Sequence, residues 1–139
     1  MPDNIINHAV LVLEEKGKIL FVKRSMKKKT LPGAWAFPSG TMKERETSFQ
    51  TIIREAKEEL DIEVNPLRII IETELPEFSV KLSFILCNIK KGIPIINEPD
   101  EIEELAYMTF NEFFNKFSDN EIGHGLAWLR KNPDIWRSL

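Results

Sequence analysis

The stretch Gly40-Thr-Met-Lys-Glu-Arg-Glu46-Thr47-Ser48-Phe-Gln50-Thr-Ile-Ile-Arg54-Glu55-Ala-Lys-Glu58-Glu59-Leu60-Asp61-Ile62 decides the fold of this chain, because it reads as a loop feeding directly into a helix. Thr47 followed by Gln50 has the form of a capping box, so the helix is expected to start near Ser48. Phe49, Ile52, Ile53, Ala56 and Leu60 recur at the steps that build one apolar helical face, and that face must be buried. Glu55, Glu58 and Glu59 fall within roughly one quadrant of the other side. Like charges at this spacing repel. A solvated acidic face is the ordinary reading of such a run. A cation held between the carboxylates is the alternative, and oxygen ligands of this kind suit Mg²⁺ or Mn²⁺.

The spacing favours the second reading. The stretch resembles the Nudix box, G-x5-E-x7-R-E-U-x-E-E-x-G-U with U aliphatic, and Gly40, Glu46, Arg54, Glu55, Ala56, Glu58, Glu59 and Ile62 all fall on it. One position departs, since Asp61 stands where the pattern has its second glycine. A left-handed backbone is expected just past the helix, and Asp is among the residues that tolerate one. Upstream, Trp35-Ala-Phe-Pro38-Ser39-Gly40 is similar to the family's W-x-x-P-G-G, with Ser39 in place of the first glycine.

The resemblance implies an α+β fold, a Nudix-type α/β/α sandwich with a mixed β-sheet between helices. It implies hydrolysis of a nucleoside diphosphate linked to some moiety X, with a divalent metal and water attack on phosphorus. It makes Glu58 and Glu59 metal ligands together with the Gly40 carbonyl, and Glu55 a ligand or the general base. Arg54 is then expected to orient a box carboxylate, and Glu46 to support the metal shell or that arginine. An acidic residue in the loop ahead of the strand Leu105 to Met108 often joins such a site, which leaves Glu101 and Glu104 open.

The rest of the chain sets the surroundings. Its 139 residues, 42% hydrophobic and 29% charged, fit a single domain spanning 1–139. A formal net charge of −3, no signal-peptide pattern and no membrane-length apolar run point to a cytoplasmic protein without membrane partners. Nucleic acid is an unfavoured partner, because the basic residues form one patch rather than a track. That patch, Lys16 to Lys29, holds seven basic residues and no acidic one. Lys23 and Arg24 are its candidates for gripping substrate phosphates, Arg24 the better by its planar fork. Trp35 is read either as a core residue or as a platform for a base. His8 in the first strand is structural or faces a ligand. Cys87, the single cysteine, is expected to be a buried strand residue.

Local patterns place strands at Ile5 to Leu13 and Ile19 to Val22 across a turn, at Leu67 to Leu75 after a break at Pro66, and at Phe78 to Ile89. A second capping box, Thr109 with Glu112, opens a helix carrying Phe113, Phe114 and Phe117, and a last helix is expected over Asn120 to Lys131. A short chain with little beyond this core looks most like MutT-type hydrolases, which cut a nucleoside triphosphate to monophosphate and pyrophosphate. Coenzyme A or ADP-ribose pyrophosphatases are the rivals, Lys29 and Ser39 departing from the coenzyme A pattern. A non-catalytic nucleotide sensor and an enzyme of capped RNA ends are the readings from other classes. The protein is expected as a monomer or homodimer.

Overall fold

The strand Ile6–Glu15 (β1) is buried through its centre, residues 9–13, and alternate residues there enter two different cores. Ala9, Leu11 and Leu13 face one layer, while Val10 and Val12 face the other. A strand apolar on both faces must be central, with helices above and below. The computed structural model, which describes residues 4–139, shows this arrangement.

β1 is flanked by Lys18–Arg24 (β2), and Lys16 and Gly17 between them both take positive φ, the geometry a two-residue hairpin turn requires. Trp35–Ala36 (β3) and Ser39–Thr41 (β4) follow, then the helix Ser48–Leu60 (α1). Two long strands come next, Glu63–Leu75 (β5) and Val80–Lys91 (β6), and then Ile102–Met108 (β7). The helices Phe110–Lys116 (α2), His124–Arg130 (α3) and Pro133–Trp136 (α4) close the chain.

The sheet is mixed: β1 runs parallel to β6, and the other pairings are antiparallel. β1 also forks. Its far end pairs with β2 at Glu14 and Glu15, whereas His8, Ala9 and Val10 pair with β4. The fork parts the sheet beside β4, and Ser39, Gly40 and Thr41 of β4 with His8 of β1 line the cleft described below.

α1 packs Ile52, Ala56 and Leu60 onto Ala9, Leu11, Leu13, Leu20, Val22 and Ile85. Each fully buried side chain of this size contributes about 1.5–3 kcal/mol. On the opposite face Phe110 and Phe113 of α2, Leu126 and Leu129 of α3 and Trp136 of α4 cover Val10, Val12, Phe21 and Phe84. The sandwich expected from the sequence is therefore the one observed.

Both capping boxes form, Thr47 with Gln50 and Thr109 with Glu112. Ile53 departs from expectation. It is 45% exposed, while Thr51 is fully buried. The Thr51 hydroxyl donates to Glu46 Oε1 at 2.7 Å and to the Thr47 carbonyl at 3.1 Å, so the polar residue is drawn in and Ile53 is turned to the flank.

Pro66 does not interrupt β5. The strand runs through it with an irregularity between Pro66 and Arg68, which an edge strand tolerates because nothing beyond it needs the missing N–H. The last expected helix is shorter than Asn120 to Lys131. A single 3₁₀ turn spans Asp119–Glu121, and Gly123 becomes the N-cap of α3. Among the described residues no helix is long and apolar enough to cross a membrane.

Asp61 adopts φ 54°, ψ 43°, the left-handed cap that the pattern fills with glycine, and its carboxylate holds Lys57 at 2.9 Å. Asp61→Gly relieves the backbone and removes an exposed pair of small value. Stability is expected to change by no more than about 1 kcal/mol, with turnover unaltered. Thermal denaturation and a rate assay check both.

Candidate active site

Arg54 is the hub of the site. Its Nε and Nη2 both bond the Glu46 carboxylate at 2.9 Å, its Nη1 bonds Glu55 at 2.8 Å, and Nη2 also donates to the Thr41 carbonyl at 3.1 Å. Glu58 lies one turn on, 3.3 Å from Nη1. Glu46 further accepts from the backbone N–H of Lys43 and from Thr51. This many donors hold its carboxyl well below the usual range, the Arg54 hydrogen bonds contributing most. The guanidinium is correspondingly raised.

The three glutamates of α1 descend from the surface into the protein. Glu58 is 44% exposed and Glu55 16%, whereas Glu59 is only 8% exposed. Burial, and then the neighbouring Glu55, Glu98 and Glu101, push the Glu59 carboxyl well above its ordinary value. No Lys or Arg is paired with it among the described residues. Gly40 faces Glu55: a Cβ there would lie 2.2 Å from Glu55 Cδ. The missing side chain is the space that the Glu55 carboxylate fills.

These residues line an open cleft of about 610 Å³ together with His8, Arg24, Lys28, Lys43, Glu98 and Glu101. The lining mixes five glutamates with the cations Arg24, Lys28, Lys43 and Arg54. His8 is thus on the cleft, with burial lowering its pKa. Glu98 was not singled out from the sequence. It is raised by burial and by Glu101, Glu55 and Glu58, and it comes to the site because Asn97 is tied to α1, its N–H to the Glu59 carbonyl at 3.0 Å and its Nδ2 to the Glu58 carbonyl at 3.0 Å. The only hint in the chain is an acidic residue three before Glu101.

Three expected site residues lie elsewhere. Lys23 is on the opposite face of β2 from Arg24 and pairs with Glu103 at 3.3 Å and Glu104 at 3.8 Å, which removes Lys23 and Glu104 together. Trp35 is buried and stacks on Phe117 with centroids 5.3 Å apart, so its core role is the one its surroundings support. Glu101 does line the cleft and is paired with Lys28.

Arg24 lies in the cleft, but its Nε and Nη2 donate to the Thr30 and Leu31 carbonyls at 2.8–3.2 Å. It pins the lysine loop. Arg24→Ala should therefore speed tryptic cleavage after Lys27 to Lys29, since losing hydrogen bonds from a charged donor lowers the local opening free energy by about 1.5–3 kcal/mol. Time-resolved digestion of the native protein measures this.

Among the described residues no three acidic, histidine or cysteine side chains are gathered tightly enough to hold a metal ion as they stand. Arg54 occupies Glu55 and leans on Glu58. The donor set nevertheless fits a hard divalent cation: carboxylate oxygens, a backbone carbonyl beside them, and a buried carboxylate with no cation of its own.

A carboxylate-bearing helix, a glycine that makes room for one carboxylate and a mixed sheet between helical layers define a class of protein, and residues 4–129 match the model of the NUDIX domain. The chain belongs to the Nudix family. It is 26% identical over 137 residues to Nudix hydrolase 5 of Arabidopsis thaliana, covering 96% of this chain and 45% of that protein. It is 30% identical over 77 residues to an 8-oxo-dGTP diphosphatase of Proteus vulgaris, covering 54% of this chain and 69% of that one. The chain thus spans less than half the length of the plant relative. In fold it is similar to a MutT protein from Methanosarcina mazei Go1, with a TM-score of 0.70 at 22% identity, covering 96% of this chain and 91% of that one.

Proposed function

We propose that this chain hydrolyses a phosphoanhydride in a nucleoside diphosphate linked to X, with Mg²⁺ or Mn²⁺, and that its substrate is a nucleoside or deoxynucleoside triphosphate cut to monophosphate and pyrophosphate. The observation that carries the reading is Glu59, a buried carboxylate with no ion-pair partner among the described residues, among four other carboxylates in a cleft that Arg24 and Lys28 also line. Held there for structure alone, such a group would only destabilise the fold.

Glu55, Glu58, Glu59 and the Gly40 carbonyl would hold the metal, whose chemistry is to neutralise phosphate charge and acidify an attacking water. Arg54 is a positioning residue, fixing Glu55 and, through Glu46, the loop that delivers Gly40. Arg24 and Lys28 supply positive charge in the same cleft. A triphosphate is favoured by the 8-oxo-dGTP diphosphatase among its relatives.

Coenzyme A and ADP-ribose are the alternatives within this chemistry. A nucleotide sensor without turnover is the alternative outside it, and it gives no reason to retain every box carboxylate. The deciding experiment measures product release from dNTPs, 8-oxo-dGTP, ADP-ribose, coenzyme A and 5′-triphosphorylated RNA with each metal. Pyrophosphate from a dNTP supports the proposal. Binding without turnover of any compound would establish the sensor.

A further inference from the structure

The lysine loop between β2 and β3 is fastened to the acidic loop before β7 and to the start of β7 itself. The Ser25 N–H donates to the Glu101 carbonyl at 2.9 Å and the Met26 N–H to Glu103 Oε1 at 3.0 Å. Lys27 holds Asp100 at 3.0 Å at the surface, where the two side chains are 76% and 82% exposed. Lys28 differs from its neighbours. Its Nζ bonds Glu101, it is only 26% exposed, and it lines both the main cleft and the narrow recess that leads to Glu59.

We propose that Lys28 is the residue that receives the substrate's phosphates, and that it does so by exchanging its carboxylate partner Glu101 for a phosphate oxygen. The proposal rests on the polyphosphate reading above. Elimination narrows the choice of cation. Lys23 is committed on the other face of β2, Lys27 lies in solvent with Asp100, and Arg24 has spent Nε and Nη2 on the Thr30 and Leu31 carbonyls. Arg54 is engaged by Glu46 and Glu55, and Lys43 lines the cleft without reaching the recess at Glu59 that Lys28 shares.

Lys28 is able to move where Arg24 is not. An ammonium on a flexible stem swaps one oxygen anion for another without breaking the loop, because Ser25 and Met26 hold the loop by backbone N–H groups. The exchange has a second consequence. Once Lys28 turns to phosphate, the Glu101 carboxylate is released into the cleft at the moment substrate is bound. Glu101 is thus silent in the free protein and available in the complex, so the two residues act as one unit.

The unit makes a prediction that a merely structural latch does not share. Glu101→Gln removes the competing anion, so Lys28 should take phosphate more readily, whereas loss of a latch would weaken binding in both variants. The probe is imidodiphosphate, whose P–N–P bridge resists hydrolysis, titrated calorimetrically with saturating Mg²⁺ at about 0.15 M salt to suppress long-range attraction. Lys28→Met should weaken binding by about tenfold to a hundredfold, the equivalent of one charge-assisted hydrogen bond. Glu101→Gln should tighten it severalfold, and the double variant should match Lys28→Met alone. Lys27→Met serves as the control and should leave affinity within about twofold, as a surface pair does.

Unchanged affinity in Lys28→Met, weaker binding in Glu101→Gln, or no binding by the native protein would each overturn the proposal. The readout is independent of turnover. If the binding pattern appears but no nucleotide is hydrolysed, the hydrolase reading fails and the Lys28 assignment stands; hydrolysis with Lys28→Met binding like the native protein gives the reverse.

Discussion

Glu59→Gln is expected to abolish turnover and, without divalent metal, to raise the melting temperature. The two effects have one cause. The Glu59 carboxyl is buried among other carboxylates, and burial holds its pKa above the unfolded value. A carboxyl raised in this way stabilises the fold below its unfolded pKa, about 4.3, and that contribution is lost as pH rises through the folded value. Above the unfolded value the metal-free protein therefore carries the cost of a carboxyl whose surroundings disfavour its ionisation. The neutral amide of the same size removes it, for a gain on the order of 1–2 kcal/mol.

Melting curves of native protein and variant should converge in acid and separate towards neutrality, with the variant higher. Adding Mg²⁺ should reverse the order, because a ligand stabilises only the form that binds it. Turnover should fall by about 10³-fold or more, several kcal/mol of transition-state stabilisation being lost with the metal ligand. A variant that is less stable than the native protein across the whole pH range, or that still turns over normally, would remove Glu59 from the site.

Gly40→Ala carries the second large effect. Its Cβ would fall 2.2–2.3 Å from Glu55 Cγ, Cδ and Oε1, contacts that no structure sustains. The atoms in the way are the mobile end of a side chain, so the fold survives with a loss of about 1–2 kcal/mol. The Glu55 carboxylate has to swing aside, and with it goes the 2.8 Å bond to Arg54. A displacement of this size at a reacting group is expected to lower kcat by about 10²-fold. Circular dichroism together with steady-state rates separates the two quantities. Full activity would mean that Glu55 is not needed where it stands.

Both arguments start from residues that were legible in the sequence, because the features of α1 are local. A capping box, a helical apolar stripe and carboxylates at fixed spacing are all settled within two or three turns of chain. What was not legible depends on parity and on partners far along the chain. Lys23 and Arg24 are adjacent and equally basic, and only the pleat of β2 decides which one enters the cleft. Glu98 reaches it because Asn97 ties its loop to carbonyls of α1. Glu104 leaves because Lys23 takes it. Ile53 and Thr51 exchange the places that hydropathy would give them, since Glu46 recruits the threonine hydroxyl. Pro66 looks like an ending only until β5 is known to be an edge.

The parallel pairing of β1 with β6 bears on how the chain reaches this state. Along β1 the partner of Ile6 is Val80 and that of Leu13 is Cys87. The most apolar strand at the start of the chain therefore waits for its lateral neighbour until α1 and β5 have been synthesised. Pairings of such sequence separation form late, because the loop must close before any contact rewards it. During translation the β1–β2 hairpin has to persist with one edge open until β6 is made, and in that interval the edge is offered to a chaperone or to another nascent copy.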